Sequence, residues 1–381
     1  MKTAIVHDWL NGMRGGEKVL EALIELYPEA TIYTLFCERV KVPASIGGRR
    51  IVTSWLDRLP GIYRHYRNLL PLFPAAVESF DLRDFELVIS SSHAVAKSAN
   101  APQALHVSYC HTPMRYLWDT ESGYAVRWHQ RLALHTIRGR LQQWDRDTSR
   151  RVDHFIANSR FVQGRIRQYY DRESDVIYPP VDTRFYTPSG ETPREDFYLA
   201  AGAMVSYKRF DVILDAFRRI GRRLLVAGGG AEFKRLQRSA GSNVRFLGWV
   251  SDSELRDLYR RARAFVFAAR EDFGIMPVEA RACGCPVIGL ASGGVLESVR
   301  DGASGVLFET QEAEAIVQAI VRFESRSWSS EQVRSGVEEF SRERFKEQFR
   351  GFVAEKTKGI SGRSSPSSEG DAETTSVHHR A

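Results

Sequence analysis

Short apolar runs alternate with amphipathic stretches from the first residues to about Lys356, and this alternation predicts βαβ units on parallel sheets. In the first half the runs predict strands at Thr3–His7, Thr31–Phe36, Leu87–Ser90, Leu105–Cys110 and Phe155–Asn158, with another near Asp175–Tyr178. A helix begins near Gly16, where Val19, Leu20, Leu23, Ile24 and Tyr27 recur every three or four residues and form one buried face. Tyr178-Pro179-Pro180-Val181-Asp182 interrupts the pattern and, with Pro188 and Pro193, reads as a linker. Beyond it, strands are predicted at Phe197–Ala201, Arg223–Ala227, Val244–Leu247, Ala264–Phe267, Pro286–Gly289 and Gly305–Phe308. Helices lie between them, including Phe210–Ile220 and one capped by Ser251 or Asp252. Two or three more close the chain between Glu312 and Lys356. The expected fold is α/β: two doubly wound parallel-sheet domains facing a central cleft, with ligands between the carboxyl ends of both sheets.

Composition narrows this picture. The 381 residues exceed the roughly 250–300 at which one hydrophobic core stops growing, which supports two domains. A chain 43% hydrophobic and 27% charged is neither disordered, collagen-like nor coiled coil. No run of eighteen apolar residues predicts a membrane span, and Met1–His7 runs straight into Asp8 without a secretory signal. The expectation is a soluble cytoplasmic chain, at most peripheral on the inner face of the membrane. The net charge of +7 is clustered: eight arginines face four acids between Arg115 and Arg151. Such patches favour anionic partners. Cys37, Cys110, Cys283 and Cys285 are too few for a disulfide scaffold, and Cys283-Gly284-Cys285 lacks a second ligand pair for zinc.

The densest chemical signal is Arg270-Glu271-Asp272-Phe273-Gly274-Ile275-Met276-Pro277-Val278-Glu279. It follows an apolar strand and enters a helix that Pro277 can start, so Ile275–Val278 offers free backbone donors to phosphate or sugar oxygens. Glu271 and Glu279 can both face the cleft, and a carboxylate suits the cis-diol of a ribose. Glu279 alone is also explained as an acid favoured near a helix start. The loops that follow, Gly284-Cys285-Pro286 and Gly293-Gly294, favour the functional reading.

This segment resembles the E-x7-E signature of retaining glycosyltransferases of family 4, which have the two-domain GT-B fold; here it is Glu271-x7-Glu279. The resemblance extends to about Lys356 and is stronger in the second half. It implies that Gly15 and Gly16, in Gly12-Met13-Arg14-Gly15-Gly16-Glu17-Lys18, contact pyrophosphate and acceptor, and that His111 lies beside the transferred sugar. Tyr116, Trp118 and Asp119 either line the acceptor side or simply pack. In Gly202-Ala203-Met204-Val205-Ser206-Tyr207-Lys208-Arg209, Lys208 matches a diphosphate-binding lysine. Ala203 stands where the family carries an arginine, and Arg209 is the candidate replacement. Gly229 and Val250 match loops beside the nucleotide, and Gly274 and Ile275 the turn that supplies backbone donors. Asn158-Ser159-Arg160 is a further cleft candidate.

The implied activity is transfer of a hexose from a nucleotide-sugar to a saccharide or polyprenyl-diphosphate-linked acceptor. Glu271 holds sugar hydroxyls, Glu279 the ribose, and Lys208 and Arg209 the departing diphosphate. His7-Asp8-Trp9-Leu10, Tyr109-Cys110-His111-Thr112-Pro113 and Tyr207-Lys208-Arg209-Phe210-Asp211 resemble bacterial mannosyltransferases that use GDP-mannose to build surface polysaccharide. No Asp-x-Asp metal clamp is visible beside a plausible site, so neither a metal nor a cofactor beyond the donor is expected. Trp55–Phe80 mixes aliphatic, aromatic and basic residues on what reads as one amphipathic element, suited to anionic lipid or equally to a core helix. The expected domains are residues 1–182 on the acceptor side and 183–340 for the nucleotide-sugar, hinged about Pro179–Thr187. A terminal helix over 341–358 packs back on the first domain, and 359–381 form a disordered tail. Rival readings are another GT-B enzyme such as an epimerase, and a non-catalytic basic module binding membrane or nucleic acid; nucleic acid is not the expected partner.

Overall fold

Parallel pairing governs both sheets of the computed structural model, which describes residues 1–119, 128–190 and 194–361. Strands β1 (Thr3–His7), β2 (Thr31–Thr34), β3 (Ile51–Thr53), β4 (Leu87–Ser92), β5 (Leu105–Cys110), β6 (His154–Ala157) and β7 (Ser174–Val176) form the first sheet, in the order β3-β2-β1-β4-β5-β6-β7. The second contains β8 (Tyr198–Ala201), β9 (Leu224–Ala227), β10 (Val244–Gly248), β11 (Phe265–Phe267), β12 (Val287–Leu290) and β13 (Gly305–Phe308), ordered β10-β9-β8-β11-β12-β13. Each sheet reverses its strand order once, at β1/β4 and at β8/β11. Those reversals open a crevice at the carboxyl ends of the strands. The central strands β1, β4, β5, β8, β9, β11 and β12 are buried throughout, as parallel strands covered on both faces must be.

Strand β3 escapes the sequence pattern because it is three half-buried residues at the sheet edge, preceded by Arg49-Arg50. The predicted strand Thr31–Phe36 stops at Thr34; Leu35 and Phe36 stay buried, but in a loop, with Phe36 stacked on Trp9. Trp55–Phe80 is not one amphipathic element. It folds as four short helical pieces, Trp55–Arg58, Ile62–His65, Tyr66–Leu72 and Phe73–Glu78, whose Leu56, Ile62, Tyr66, Leu70 and Phe73 enter the core.

Helix α1 (Gly15–Leu26) buries Val19, Leu20, Leu23 and Ile24 against the first sheet. Helix α2 (Arg160–Tyr170) follows β6, α3 (Phe210–Ile220) follows β8, and α4 (Ile275–Ala282) follows β11. The terminal helix α5 (Arg342–Ser361) returns to the first sheet's core, where it inserts Phe345, Phe349 and Val353 beside Leu20 and Leu23. Burying side chains of this size contributes about 2 kcal/mol each. Glu25 of α1 adds bonds from Arg342 at 2.6 Å and Lys346 at 2.9 Å. Because α5 extends to Ser361, the expected break at 359 falls inside a helix; the rest of the expected tail, and Pro193, lie outside the described residues. The segment after β7 is tied to the start of α5: the Val181 N–H donates to the Phe340 carbonyl at 2.9 Å and the Arg342 N–H to that of Val181 at 3.0 Å. Among the described residues no helix is long and apolar enough to cross a membrane.

Candidate active site

The β8 and β11 loops meet at the reversal of the second sheet. Lys208 comes from the loop after β8 and Glu271 from the loop after β11, and the Lys208 ammonium lies 2.6 Å from Glu271 Oε1. Burial alone would raise the Glu271 carboxyl; the attraction and hydrogen bond of Lys208, with Arg115 beyond, outweigh it and hold Glu271 below the usual carboxylate range. The Glu271 backbone is fixed as well. Its carbonyl accepts the Gly294 N–H at 3.0 Å, and a Cβ on Gly294 would lie 2.6 Å from the Asp272 carbonyl oxygen. Gly294 is therefore required by space: only a hydrogen fits between the two backbones. Gly228, at φ +120, packs against the Gly202 backbone in the same manner, which joins the β8 and β9 loops.

Glu279 projects from α4 and is almost fully buried, yet its partner comes from the other domain. Lys18 of α1 places its Nζ 2.7 Å from Glu279 Oε1 and 5.7 Å from the Tyr186 ring centroid. Burial would lower the Lys18 ammonium, but Glu279 more than offsets this and holds it above the usual lysine range. Gly15, at the start of α1, meets Ile275 at the start of α4: a Cβ there would lie 2.9 Å from Ile275 Cδ1. Gly16 faces His7 and His111, with 3.7 Å from its would-be Cβ to His111 Nε2. The start of α1 and the start of α4 thus meet through Gly15 and Ile275.

His111 follows β5 directly. Its Nε2 lies 2.8 Å from Ser91 Oγ, which in turn is 3.1 Å from His7 Nδ1. Burial, with His93 and His7 nearby, pushes the His111 imidazole down to about 3, so at neutral pH it is uncharged and acts as a hydrogen-bonding group.

Further contacts join the two halves. Asp272 accepts from Arg115 Nε at 2.8 Å and lies 3.5 Å from Arg165, while its carbonyl accepts from Ser159 Oγ at 2.6 Å. Ser159 also caps α2, whose first N–H groups, on Arg160 and Phe161, donate to the Glu297 carboxylate at 2.8 and 3.1 Å. Asn158-Ser159-Arg160 therefore faces the other domain through its backbone and Ser159. Arg165 and Glu297 carry no distinguishing pattern in the sequence, and Asp272, though inside the acid-flanked segment, has no role legible there; the contacts of Asp272 with Arg165 and Ser159 and of Glu297 with Arg160 span more than a hundred residues.

Other candidates go elsewhere. Arg209, in a left-handed conformation at φ 51, turns to Asp211 at 3.2 Å and does not join Lys208 at Glu271, so the Ala203 departure has no obvious replacement there. Gly229 accepts the Met204 N–H at 2.7 Å through its carbonyl. Val250 is half-buried against the core beside Trp249, which is 84% exposed. Trp118 donates to Asp145 at 2.7 Å and stacks on Tyr169, so packing accounts for it. Gly274 takes φ +83 at the start of α4. Among the described residues no group of three or more His, Cys, Asp or Glu is arranged to hold a metal.

Comparison with known proteins bears on the fold and the family. The model of glycosyl transferases group 1 matches residues 184–340, and that of glycosyltransferase family 4 matches residues 13–185. O-antigen chain mannosyltransferase C of Escherichia coli is 32% identical over 167 residues, 42% of this chain and 44% of that protein. An uncharacterized glycosyltransferase of Methanocaldococcus jannaschii is 30% identical over 162 residues, 41% of this chain and 45% of its own. The matched stretches thus span less than half the length of these curated relatives. Among solved structures, Anabaena HepE in complex with UDP and glucose superposes with a TM-score of 0.69 at 16% identity, covering 93% of this chain and all of that one. Sucrose-phosphate synthase from Thermosynechococcus elongatus gives 0.71 at 18% identity, with 94% and 100% covered. Two adjoining family models, two reversed parallel sheets and a Glu-x7-Glu turn in the crevice between them lead to one conclusion: the chain belongs to glycosyltransferase family 4 and has its GT-B fold.

Proposed function

We propose that this chain transfers a hexose, with retention at the anomeric carbon, from a nucleotide-sugar to a hydroxyl of a saccharide or lipid-linked saccharide in surface polysaccharide synthesis. The donor proposed is GDP-mannose, supported by the motif resemblance and by the name of the Escherichia coli relative. The observation that carries the reading is that Glu271 and Glu279 are each held by a lysine, Glu271 by Lys208 of its own domain and Glu279 by Lys18 from the other. In this reading Glu279 accepts hydrogen bonds from the ribose diol and Glu271 from sugar hydroxyls. As the anomeric C–O bond breaks, its electron pair goes to the diphosphate. Lys208 and the backbone donors at Gly16 and Ile275 stabilise that growing charge, the kind of preorganised electrostatics that usually contributes most to the rate. Neutral His111 hydrogen-bonds the sugar. Catalysis needs neither metal nor cofactor beyond the donor.

A peripheral contact with an anionic membrane is part of the proposal. It is supported by Val40, Trp55, Tyr63 and Leu72, which are exposed near Arg58, Arg64 and Arg67. Cosedimentation with phosphatidylglycerol vesicles tests it, and no binding at low salt removes it.

The donor site is tested by thermal shift with GDP, UDP and ADP. A ligand at a hundred times its Kd stabilises by about 2.7 kcal/mol. GDP is expected to raise the melting point most; no shift with any of the three would falsify the donor site.

A further inference from the structure

Lys208 reaches the crevice already paired with Glu271, at 2.6 Å, so the two side chains together offer little net positive charge. Arg209 is turned to Asp211, and Ala203, exposed beside Gly202, contributes no charge at all. A multiply charged diphosphate held by this loop alone would keep most of its charge uncompensated.

Arg115 reaches the same place from the other sheet. It opens the helical turn Arg115–Trp118 just beyond His111. Buried Met114 and Leu117 anchor that turn, and the Leu117 carbonyl accepts from Arg138 Nε at 2.9 Å and Gln142 Nε2 at 2.8 Å. The Arg115 Nε donates to Asp272 Oδ2 at 2.8 Å, and the guanidinium lies 5.7 Å from the Tyr207 ring centroid. Tyr207 and Asp272 are the chain neighbours of Lys208 and Glu271, so Arg115 packs against both loops that carry the Lys208–Glu271 pair. Its charge is felt there: after Lys208, Arg115 helps to hold the Glu271 carboxyl low. Asp272 is shared, since Arg165 lies 3.5 Å from its other oxygen and Asp119 lies 3.5 Å from Arg165. A guanidinium is always charged, and its planar fork of donors matches phosphate oxygens.

We propose that Arg115 is the second cation on the donor diphosphate, supplied across the crevice by the first domain where Ala203 of the second supplies none. The proposal rests on the glycosyl-transfer reading above. Arg115 takes no proton; it stabilises negative charge on the diphosphate as the sugar leaves it. Because Lys208 and Arg115 belong to different domains and hold one anion, donor binding also draws the two halves together.

The test titrates GDP and UDP calorimetrically into the wild type, into Arg115→Met, and into Arg115→Met combined with Ala203→Arg. Arg115→Met is expected to weaken whichever nucleoside diphosphate the wild type binds by about 10–100-fold, the range for one charged hydrogen bond. Ala203→Arg is expected to recover most of that loss, because Ala203 is exposed and a Cβ on its neighbour Gly202 would lie 3.4 Å from Lys208 Nζ. A residue that only held Asp272 would not be replaced from position 203. Arg115→Gln keeps a donor for Asp272 and loses the charge; it is expected to show the same loss and serves if Arg115→Met does not fold. Wild-type affinity in these variants, or a loss that Ala203→Arg leaves unrepaired, overturns the proposal and leaves the donor site standing. A wild type that binds neither GDP nor UDP overturns the donor site itself, and this role of Arg115 with it.

Discussion

Lys18 and Glu279, 261 positions apart in sequence, bring their side chains to 2.7 Å across the interdomain crevice. Neither domain alone completes this pair. The donor site is consequently sensitive to how the two halves sit against each other.

Lys18→Met leaves Glu279, only 4% exposed at its side chain, without its cation. An unsatisfied buried partner costs about 1–3 kcal/mol, so the melting point should fall. The donor KM should rise at the same time, because the carboxylate loses the contact that orients it. Glu279→Ala should weaken nucleoside diphosphate binding further, by about tenfold or more, as charged hydrogen bonds contribute about 1.5–3 kcal/mol each. Calorimetric titration with GDP decides; unchanged affinity in Glu279→Ala removes the ribose assignment.

Lys208 and Arg209 are adjacent in sequence and separate in predicted effect. Lys208→Met should lower kcat about 10²–10³-fold, the cost of losing one preorganised partner of the developing charge. Arg209→Met should change it less than about threefold, since its guanidinium is occupied by half-buried Asp211. Steady-state kinetics on both variants test the contrast, and equal losses would return Arg209 to the diphosphate site.

Gly294→Ala pushes a methyl group into the Asp272–Phe273 backbone. Overpacking of this kind costs about 1–3 kcal/mol, and here the strain falls on the loop carrying Glu271. A lower melting point together with lost donor binding is expected; full donor affinity would show that the Glu271 loop tolerates displacement.

Stability should decline on acidification in two windows. Burial, with Lys97 adding and Asp153 opposing, pushes His106 from 6.5 down to about 4, and His111 is pushed from 6.5 to about 3. Between pH 6.5 and those values the unfolded chain binds protons that the folded one refuses. Within that window each histidine lowers stability by about 1.4 kcal/mol for every pH unit of acidification. Asp8, Glu17 and Glu271 are shifted downward; their contribution is complete above about pH 4.5 and is lost as pH falls through their folded values. Denaturant midpoints at pH 7, 5.5 and 4.5 measure the upper window, and midpoints at pH 4 and 3 the lower. His106→Gln, which can keep the bond to Ser90, should flatten the upper one.

How much of this is legible in the sequence varies by residue. The spacing of Val19, Leu20, Leu23 and Ile24 and the apolar runs of β1, β4 and β5 specify helix and buried strand locally, because each pattern repeats within a few residues. Glu271 and Glu279 stand on one loop and the helix that follows it, so their spacing is readable locally, while their lysine partners are not. Strand β3 is not legible, because three half-buried edge residues form no pattern. Trp55–Phe80 reads wrongly as one element, because apolar content alone does not say where a helix breaks.

The sequence by itself determined two parallel-sheet domains and the acid-flanked turn, since hydrophobic period, strand length and glycine position act over short distances. Only the tertiary structure decided that Lys18 serves Glu279, that Arg115 and Ser159 hold Asp272, and that Arg209 turns away. The physical reason is that the directing forces there are single ion pairs and hydrogen bonds. Their strength depends on ångström-scale proximity between strand ends, and no linear pattern of residues encodes it.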